Sequence, residues 1–137
     1  ILRFLLAAIL GGLLGYDREI KGKAAGLRTH MLVSFGAALF VLIPQQSGAS
    51  IADLTRVLQG LIAGVGFLGA GSIIIGRHQE EAKGMTTAAG IWLTAAIGVA
   101  AGMGREATAI LSTLLALGIL SLIPKVERLF ERRGRGS

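Results

Sequence analysis

Cysteine is absent from this sequence, and charged and aromatic residues are scarce. Without a thiol, the chain has no disulfide, no thiolate metal site and no cysteine nucleophile. Aromatic residues make up 5% of the chain and do not alternate with the basic residues, so we expect no nucleic-acid partner despite the net charge of +6. Charged residues are 16% of the chain and hydrophobic residues 53%. This composition predicts a membrane protein rather than a soluble domain.

The few charges are concentrated in three segments, 17–28, 77–83 and 125–135. Such segregation is typical of a bilayer protein, because a charge is costly at the bilayer centre and tolerated at the headgroups. About 20 apolar helical residues cross a hydrocarbon core of roughly 30 Å. Five continuous apolar runs approach that length, and their lack of alternation argues against β-strands. The runs are approximately residues 1–16, 29–44, 54–75, 85–103 and 107–124.

We therefore predict an all-α polytopic membrane protein of about five transmembrane helices that contacts the lipid bilayer. Residues 1–124 would form the transmembrane domain and residues 125–137 a basic tail. Pro44 and Pro124 are expected to end the second and fifth helices, since proline donates no helical hydrogen bond. The tail is expected to contact anionic headgroups, with a partner-binding helix as the alternative.

The distribution of lysine and arginine predicts the orientation of the chain. Three of them lie on the side of the N-terminus, and eleven lie on the other side with the C-terminal tail. Basic flanks remain in the cytoplasm, so we predict an N-out, C-in topology.

Glycine is abundant, with 21 residues, and most of them fall within the apolar runs. Small residues four positions apart let helix backbones approach each other in lipid. The third helix is the richest in glycine, so we expect it to be central in the bundle; a helix that shifts to line a path is the alternative. Self-association as a homodimer is also expected. The glycines assigned to helix packing are Gly11, Gly15, Gly60, Gly64, Gly66, Gly69, Gly71, Gly98 and Gly102.

Three motifs, in this order and spacing, resemble the MgtC/SapB family over almost the whole chain. They are G-Y-D-R-E at 15–19 with A-G-L-R-T at 25–29, G-V-G-F-L-G-A-G at 64–71, and G-M-T-T-A-A-G-I-W at 84–92. The resemblance implies a protein of the bacterial cell inner membrane with a regulatory role exercised through protein contacts. It also implies links to growth at low magnesium and to virulence. The F-type ATP synthase is the partner that the resemblance implies.

Several positions depart from the family pattern. Asp17 stands where glutamate is more usual, and Met85 stands where leucine is usual. Thr86 stands where some virulence-associated members carry asparagine, which puts any function of that amide in doubt here. Those members also continue into a soluble C-terminal domain, so we expect either a short member or part of a longer protein.

The polar residues of these motifs share the predicted cytoplasmic boundary. We expect Arg18 or Arg28 to pair with a carboxylate of the first helix, and two threonines to cap the fourth helix. The cluster either fixes helix ends only or binds an ion, a headgroup phosphate or a partner, and its arginines favour an anion. Its members are Asp17, Arg18, Glu19, Arg28, Thr29, Thr86 and Thr87.

Catalytic and metal-binding patterns find little support in the sequence. The apolar runs contain no Asp or Glu, which argues against a carboxylate Mg²⁺ site at the bilayer centre. A catalytic triad, an H-E-x-x-H motif and a P-loop are all missing, and the G-x-G-x-x-G at 64–69 follows no strand. We therefore expect no enzyme, no metal and no cofactor. His30 is expected to hydrogen-bond a neighbour, and His78 to be solvated.

Three functional hypotheses follow. The first is a regulatory membrane protein, in line with the resemblance. The alternative is a transporter or channel for Mg²⁺ or another ion. A third is a protein that binds lipid headgroups near Arg28.

Overall fold

The computed structural model describes residues 1–75 and 81–134, and all regular structure in this part of the chain is α-helical. The helices are α1 (Leu2–Ile20), α2 (Leu27–Gln46), α3 (Ile51–Ile75), α4 (Glu81–Gly102) and α5 (Glu106–Gly134). By length and composition, α2, α3, α4 and α5 are each apolar enough to cross a membrane. α1 is apolar between charged ends and packs into the same bundle. The prediction of an all-α polytopic membrane protein is confirmed, whereas the orientation remains a prediction.

Alanine is the commonest buried apolar residue among the described residues, and many large apolar side chains point outward. Ala38 and Ala101 are completely buried, whereas Phe67 is 83% exposed and Leu115 is 60% exposed. Water would penalise such a surface, but lipid is as apolar as the side chains themselves. The arrangement therefore suits a bundle whose solvent is the bilayer.

The centre of the bundle is α4, which contacts each of the other four helices. Among the described residues, α3 contacts only α2 and α4. Only 11% of the apolar stretch of α3 is buried, against 39% for α4. The expectation that the glycine-rich third helix is central is therefore wrong. Glycine content showed that backbones can approach closely, but it did not show which helices do so.

The glycines of α1 and α4 bring these two helices against the backbone of α2. A Cβ atom built on Gly11 would lie 2.6 Å from the carbonyl oxygen of His30, and one built on Gly98 would overlap the carbonyl oxygen of Ser34. Any larger residue would push the helices apart. The glycines in such close contact with α2 are Gly11, Gly15, Gly98 and Gly102.

Most glycines of α3 are open, meaning that a Cβ built on them would have no close neighbour in the described part of the chain. Gly69 faces α4, where a built Cβ would lie 3.3 Å from the Cβ of Ala88. At the other predicted packing positions of this helix, a Cβ would meet nothing within 4 Å in residues 1–75 and 81–134. Those positions are Gly60, Gly64, Gly66 and Gly71.

Helix α3 begins with a capping box. The backbone N–H and the hydroxyl of Ser50 donate to Oδ2 of Asp53 over 3.3 and 2.6 Å, and the Asp53 N–H donates to the Ser50 hydroxyl over 3.1 Å. These reciprocal bonds satisfy donors that the first helical turn leaves free. They fix the short connection between α2 and α3.

Both prolines lie inside helices, so the prediction that they end α2 and α5 is wrong. α2 continues past Pro44 to Gln46, and α5 continues past Pro124 to Gly134. The described part of the basic tail therefore extends α5, while residues 135–137 lie outside the described residues. Pro124 cannot donate to the carbonyl of Leu120, and the ammonium of Lys21 donates to it instead.

Candidate functional site

A polar network joins the end of α1 to α5. Nζ of Lys21 lies 2.7 Å from Oδ1 of Asp17, one helical turn earlier. The same ammonium donates to the hydroxyl of Ser121 and to the carbonyl oxygen of Leu120, each over 3.3 Å. The Ser121 hydroxyl donates in turn to Asp17 over 3.3 Å. Lys21 thus supplies the donor that Pro124 removes from α5.

Glu19 caps α2 from the neighbouring helix. Its Oε2 accepts a hydrogen bond of 2.7 Å from the backbone N–H of Leu27, the first residue of α2. The N-cap residue is Gly26, which has no side chain to serve this purpose. A carboxylate at a helix N-terminus also interacts favourably with the helix dipole. Glu19 therefore fixes the connection between α1 and α2.

Arg18 is buried, with 3% of its surface exposed. Its Nη2 makes a long contact of 3.5 Å with the hydroxyl of Thr87, and its Nε has no hydrogen-bond partner in the described part of the chain. Among the described residues, no carboxylate lies within ion-pair distance of the guanidinium. The expected pairing of Arg18 or Arg28 with Asp17 or Glu19 is therefore wrong.

The remaining members of the predicted cluster separate into two groups. α4 begins at Glu81, so Thr86 and Thr87 lie inside this helix and the prediction that they cap it is wrong. Thr87 is buried beside Arg18, and Thr86 is exposed at the same end of the bundle. Arg28 and Thr29 are exposed on the first turn of α2. The structure thus brings Thr86 and Thr87 to the α1 residues but leaves Arg28 and Thr29 on the outer surface.

An open cavity of about 850 Å³ lies between the end of α1, the first turns of α4 and the second half of α5. Sequence reasoning missed the contribution of α5 to it. Ser121, Lys125 and Arg128 follow one another at helical spacing, a signal that α5 continues past Pro124 with a basic face. Among the described residues, the charged lining consists of Arg18, Lys21, Lys23, Lys125, Arg128 and one acid, Glu127. The apolar wall consists of Ile119, Leu120, Ile123 and Pro124.

His30 lies away from this cavity. It is buried between α1, α2 and α4, and its Nδ1 donates to the carbonyl oxygen of Gly26 over 3.0 Å. The prediction that this histidine bonds a neighbour is confirmed. The prediction for His78 falls outside the described residues.

The helical bundle, the apolar outer surface and the charges at helix ends define a polytopic α-helical membrane protein. The model of the MgtC family matches residues 4–129 of the chain. The chain therefore belongs to the MgtC family.

Similar proteins occur in several bacteria. The chain is 39% identical over 129 residues to "Putative magnesium transporter YhiD" of Escherichia coli (strain K12), covering 89% of this chain and 59% of that protein. It is 41% identical over 138 residues to "Protein SrpB" of Synechococcus elongatus, covering 93% and 76%. It is 39% identical over 133 residues to "Protein MgtC" of Brucella abortus, covering 93% and 54%. The chain thus spans little more than half the length of the YhiD and MgtC relatives. No solved structure matches it.

Proposed function

We propose that this protein is a non-enzymatic regulator of the bacterial inner membrane that acts by contacting another membrane protein within the bilayer. The observation that carries the proposal is the open glycine face of α3. At 100° per residue, Gly60, Gly64 and Gly71 lie within about 40° of one another. A Cβ built on any of the three would meet nothing within 4 Å among the residues that the structure describes.

An exposed glycine face on a membrane helix has an energetic consequence. Each glycine in a helix interior costs about 1 kcal/mol relative to alanine. In the described bundle, no close backbone contact offsets that cost at these three positions. A neighbouring helix packed on this face would supply the missing contacts, since small residues drive helix association in lipid. The face is therefore suited to a transmembrane partner.

The partner we propose is the F-type ATP synthase, on the strength of the family membership. A second copy of this chain, packed through the same face, is the competing occupant. Contact through α3 would leave the bundle of α1, α2 and α4 intact, because the close glycine contacts of that bundle lie elsewhere.

Transport of Mg²⁺ or another ion is the second candidate, and it is supported by the name of the Escherichia coli relative. The two carboxylates at the end of α1 do not favour it. Asp17 is paired with Lys21 and Ser121, and Glu19 holds the N-terminus of α2. A cation would have to displace these bonds and also give up its own tightly held waters.

Co-reconstitution tests both candidates. The protein and purified F-type ATP synthase are placed in liposomes, and ATP-driven proton pumping is measured. Synthase-free liposomes with a trapped Mg²⁺ indicator report transport. Gly64→Leu fills the open face of α3, and Gly118→Leu is the matched control, since Gly118 is an open glycine on α5.

We expect the native protein and Gly118→Leu to lower proton pumping and Gly64→Leu to leave it unchanged, with Mg²⁺ entry equal to that of empty liposomes. Mg²⁺ entry above empty liposomes would overturn the regulatory proposal in favour of transport. Equal inhibition by both variants would remove α3 as the contact surface.

A further inference from the structure

We propose that the basic cavity between α1, α4 and α5 binds the phosphate group of an anionic phospholipid. The cavity lies at the helix ends that carry most of the basic residues, where a headgroup would reside. Its volume of about 850 Å³ is large enough for a phosphate and its substituents. The proposal is independent of the α3 contact surface.

Arg18 carries a buried positive charge, since only 3% of the residue is exposed. No described carboxylate lies within ion-pair distance of its guanidinium, and Asp17 acts on it only through a longer-range Coulombic attraction. A buried cation without a counter-ion is strongly unfavourable. Its Nε is itself buried and lacks a hydrogen-bond partner in the described part of the chain. A phosphate bound beside Arg18, which lines the cavity, would supply the missing negative charge.

Positive charge is in excess in the described lining of the same cavity. Lys21 is already paired with Asp17. The lining still includes Lys23 of the α1–α2 connection and Lys125 and Arg128 of α5, in addition to Arg18. Glu127 is the one acidic residue in the described lining. Charge-assisted bonds from arginine and lysine are the usual means by which proteins hold phosphate.

The lining of the cavity matches a phospholipid better than free phosphate. The wall that adjoins the basic residues is apolar, and Ile119 and Ile123 are 61% and 49% exposed on α5. They lie on the membrane-spanning part of the helix, next to Lys125 and Arg128, which begin its basic end. A molecule with a phosphate and an adjoining acyl chain matches both parts of this lining, whereas inorganic phosphate matches only one.

The test is a binding measurement on the purified protein in a neutral detergent. Its thermal unfolding midpoint is followed while phosphatidylglycerol, phosphatidylcholine or inorganic phosphate is added. The diagnostic variant carries Lys125→Gln and Arg128→Gln, two exposed positions whose substitution leaves the helix packing intact. The matched control is Arg132→Gln, an exposed arginine of the same helix that does not line the cavity. A third variant, Arg18→Gln, removes the buried charge.

We expect phosphatidylglycerol to raise the midpoint more than phosphatidylcholine. Each cation removed from the cavity should weaken that binding roughly fivefold, whereas Arg132→Gln should bind as the native protein does. Arg18→Gln should lose the response to phosphatidylglycerol. If Arg18→Gln fails to fold, the comparison between the Lys125→Gln and Arg128→Gln variant and the Arg132→Gln control tests the proposal without it.

Two results would contradict the proposal in different ways. Equal phosphatidylglycerol binding by the cavity variant and the Arg132→Gln control would show that the cavity holds no phosphate. A response to inorganic phosphate as large as that to phosphatidylglycerol, lost in the cavity variant, would keep the phosphate site but overturn the assignment to a lipid.

Discussion

The ammonium of Lys21 lies 3.3 Å from the carbonyl oxygen of Leu120, the group that Pro124 leaves without a helical donor. The two residues are 99 positions apart in the sequence. This contact explains how α5 continues through a proline at the membrane boundary. It also places the start of the basic end of α5 beside the end of α1, which creates the basic cavity.

The contribution of the contact between Lys21 and Leu120 to the free energy of unfolding should depend on Pro124. Lys21→Met removes the donor to Leu120, whereas Pro124→Ala restores a helical N–H to the same carbonyl. We expect Lys21→Met to lower the free energy of unfolding in both backgrounds. The decrease should be about 1 kcal/mol smaller when Pro124→Ala is present. This figure allows for the partial exposure of Lys21. The measurement is a double-mutant cycle of detergent-induced unfolding followed by circular dichroism. An equal cost in both backgrounds would show that Lys21 acts through Asp17 alone.

The close approach of α4 to α2 should make Gly98 intolerant of any side chain. A Cβ at this position would overlap the carbonyl oxygen of Ser34, so Gly98→Ala should lower the free energy of unfolding by about 1–3 kcal/mol. Gly118→Ala is the control, because a Cβ there meets nothing within 4 Å. It should stabilise the protein by up to about 1 kcal/mol through helix propensity. Thermal unfolding of both variants in detergent distinguishes packing from propensity, and equal midpoints would refute the packing argument.

The carboxylate of Glu19 should protect the first turn of α2. Glu19→Ala removes the acceptor of the Leu27 N–H and the negative charge at the helix N-terminus, so α2 should fray there. We expect faster hydrogen–deuterium exchange in the first turn of α2 and a loss of about 1 kcal/mol in the free energy of unfolding. Glu131→Ala, at an exposed position of α5, is the control. Unchanged exchange in Glu19→Ala would mean that the cap has no energetic role.

The helices could be predicted from the sequence because the bilayer restricts the structures that a spanning segment can form. Apolar runs long enough to cross it must satisfy their backbone hydrogen bonds internally, and a helix does so. Charges gathered at the helix ends for the same reason, which placed Asp17, Arg18 and Glu19 correctly at one end of α1. The bond from His30 to Gly26 was also predictable, because a buried histidine needs a partner.

The hydrogen-bond and ion-pair partners of the site residues could not be predicted from the sequence, because they depend on contacts between distant parts of the chain. Pro124 is expected to end α5, but the helix continues through it, and Lys21 donates to the carbonyl that the proline leaves without a donor. Arg18 was expected to bond a carboxylate, but local geometry gives Asp17 to Lys21 instead. The glycines of α3 signalled close packing without identifying a neighbour. A pattern of glycines shows that a helix surface can pack closely, but the arrangement of the helices determines which neighbour packs against that surface.

The side of the membrane that bears the basic cavity is open to a direct test, because the chain contains no cysteine. A single cysteine can be introduced as Ser47→Cys, in the turn between α2 and α3, or as Glu131→Cys, near the end of α5. Both positions are exposed, and they lie at opposite ends of the bundle. A membrane-impermeant maleimide applied to spheroplasts should label Ser47→Cys. It should label Glu131→Cys only after the membrane is disrupted, because the excess of basic residues predicts that this end is cytoplasmic. The reverse labelling pattern would place Arg18 and its cavity on the outer face, and the phospholipid we propose would then belong to the outer leaflet.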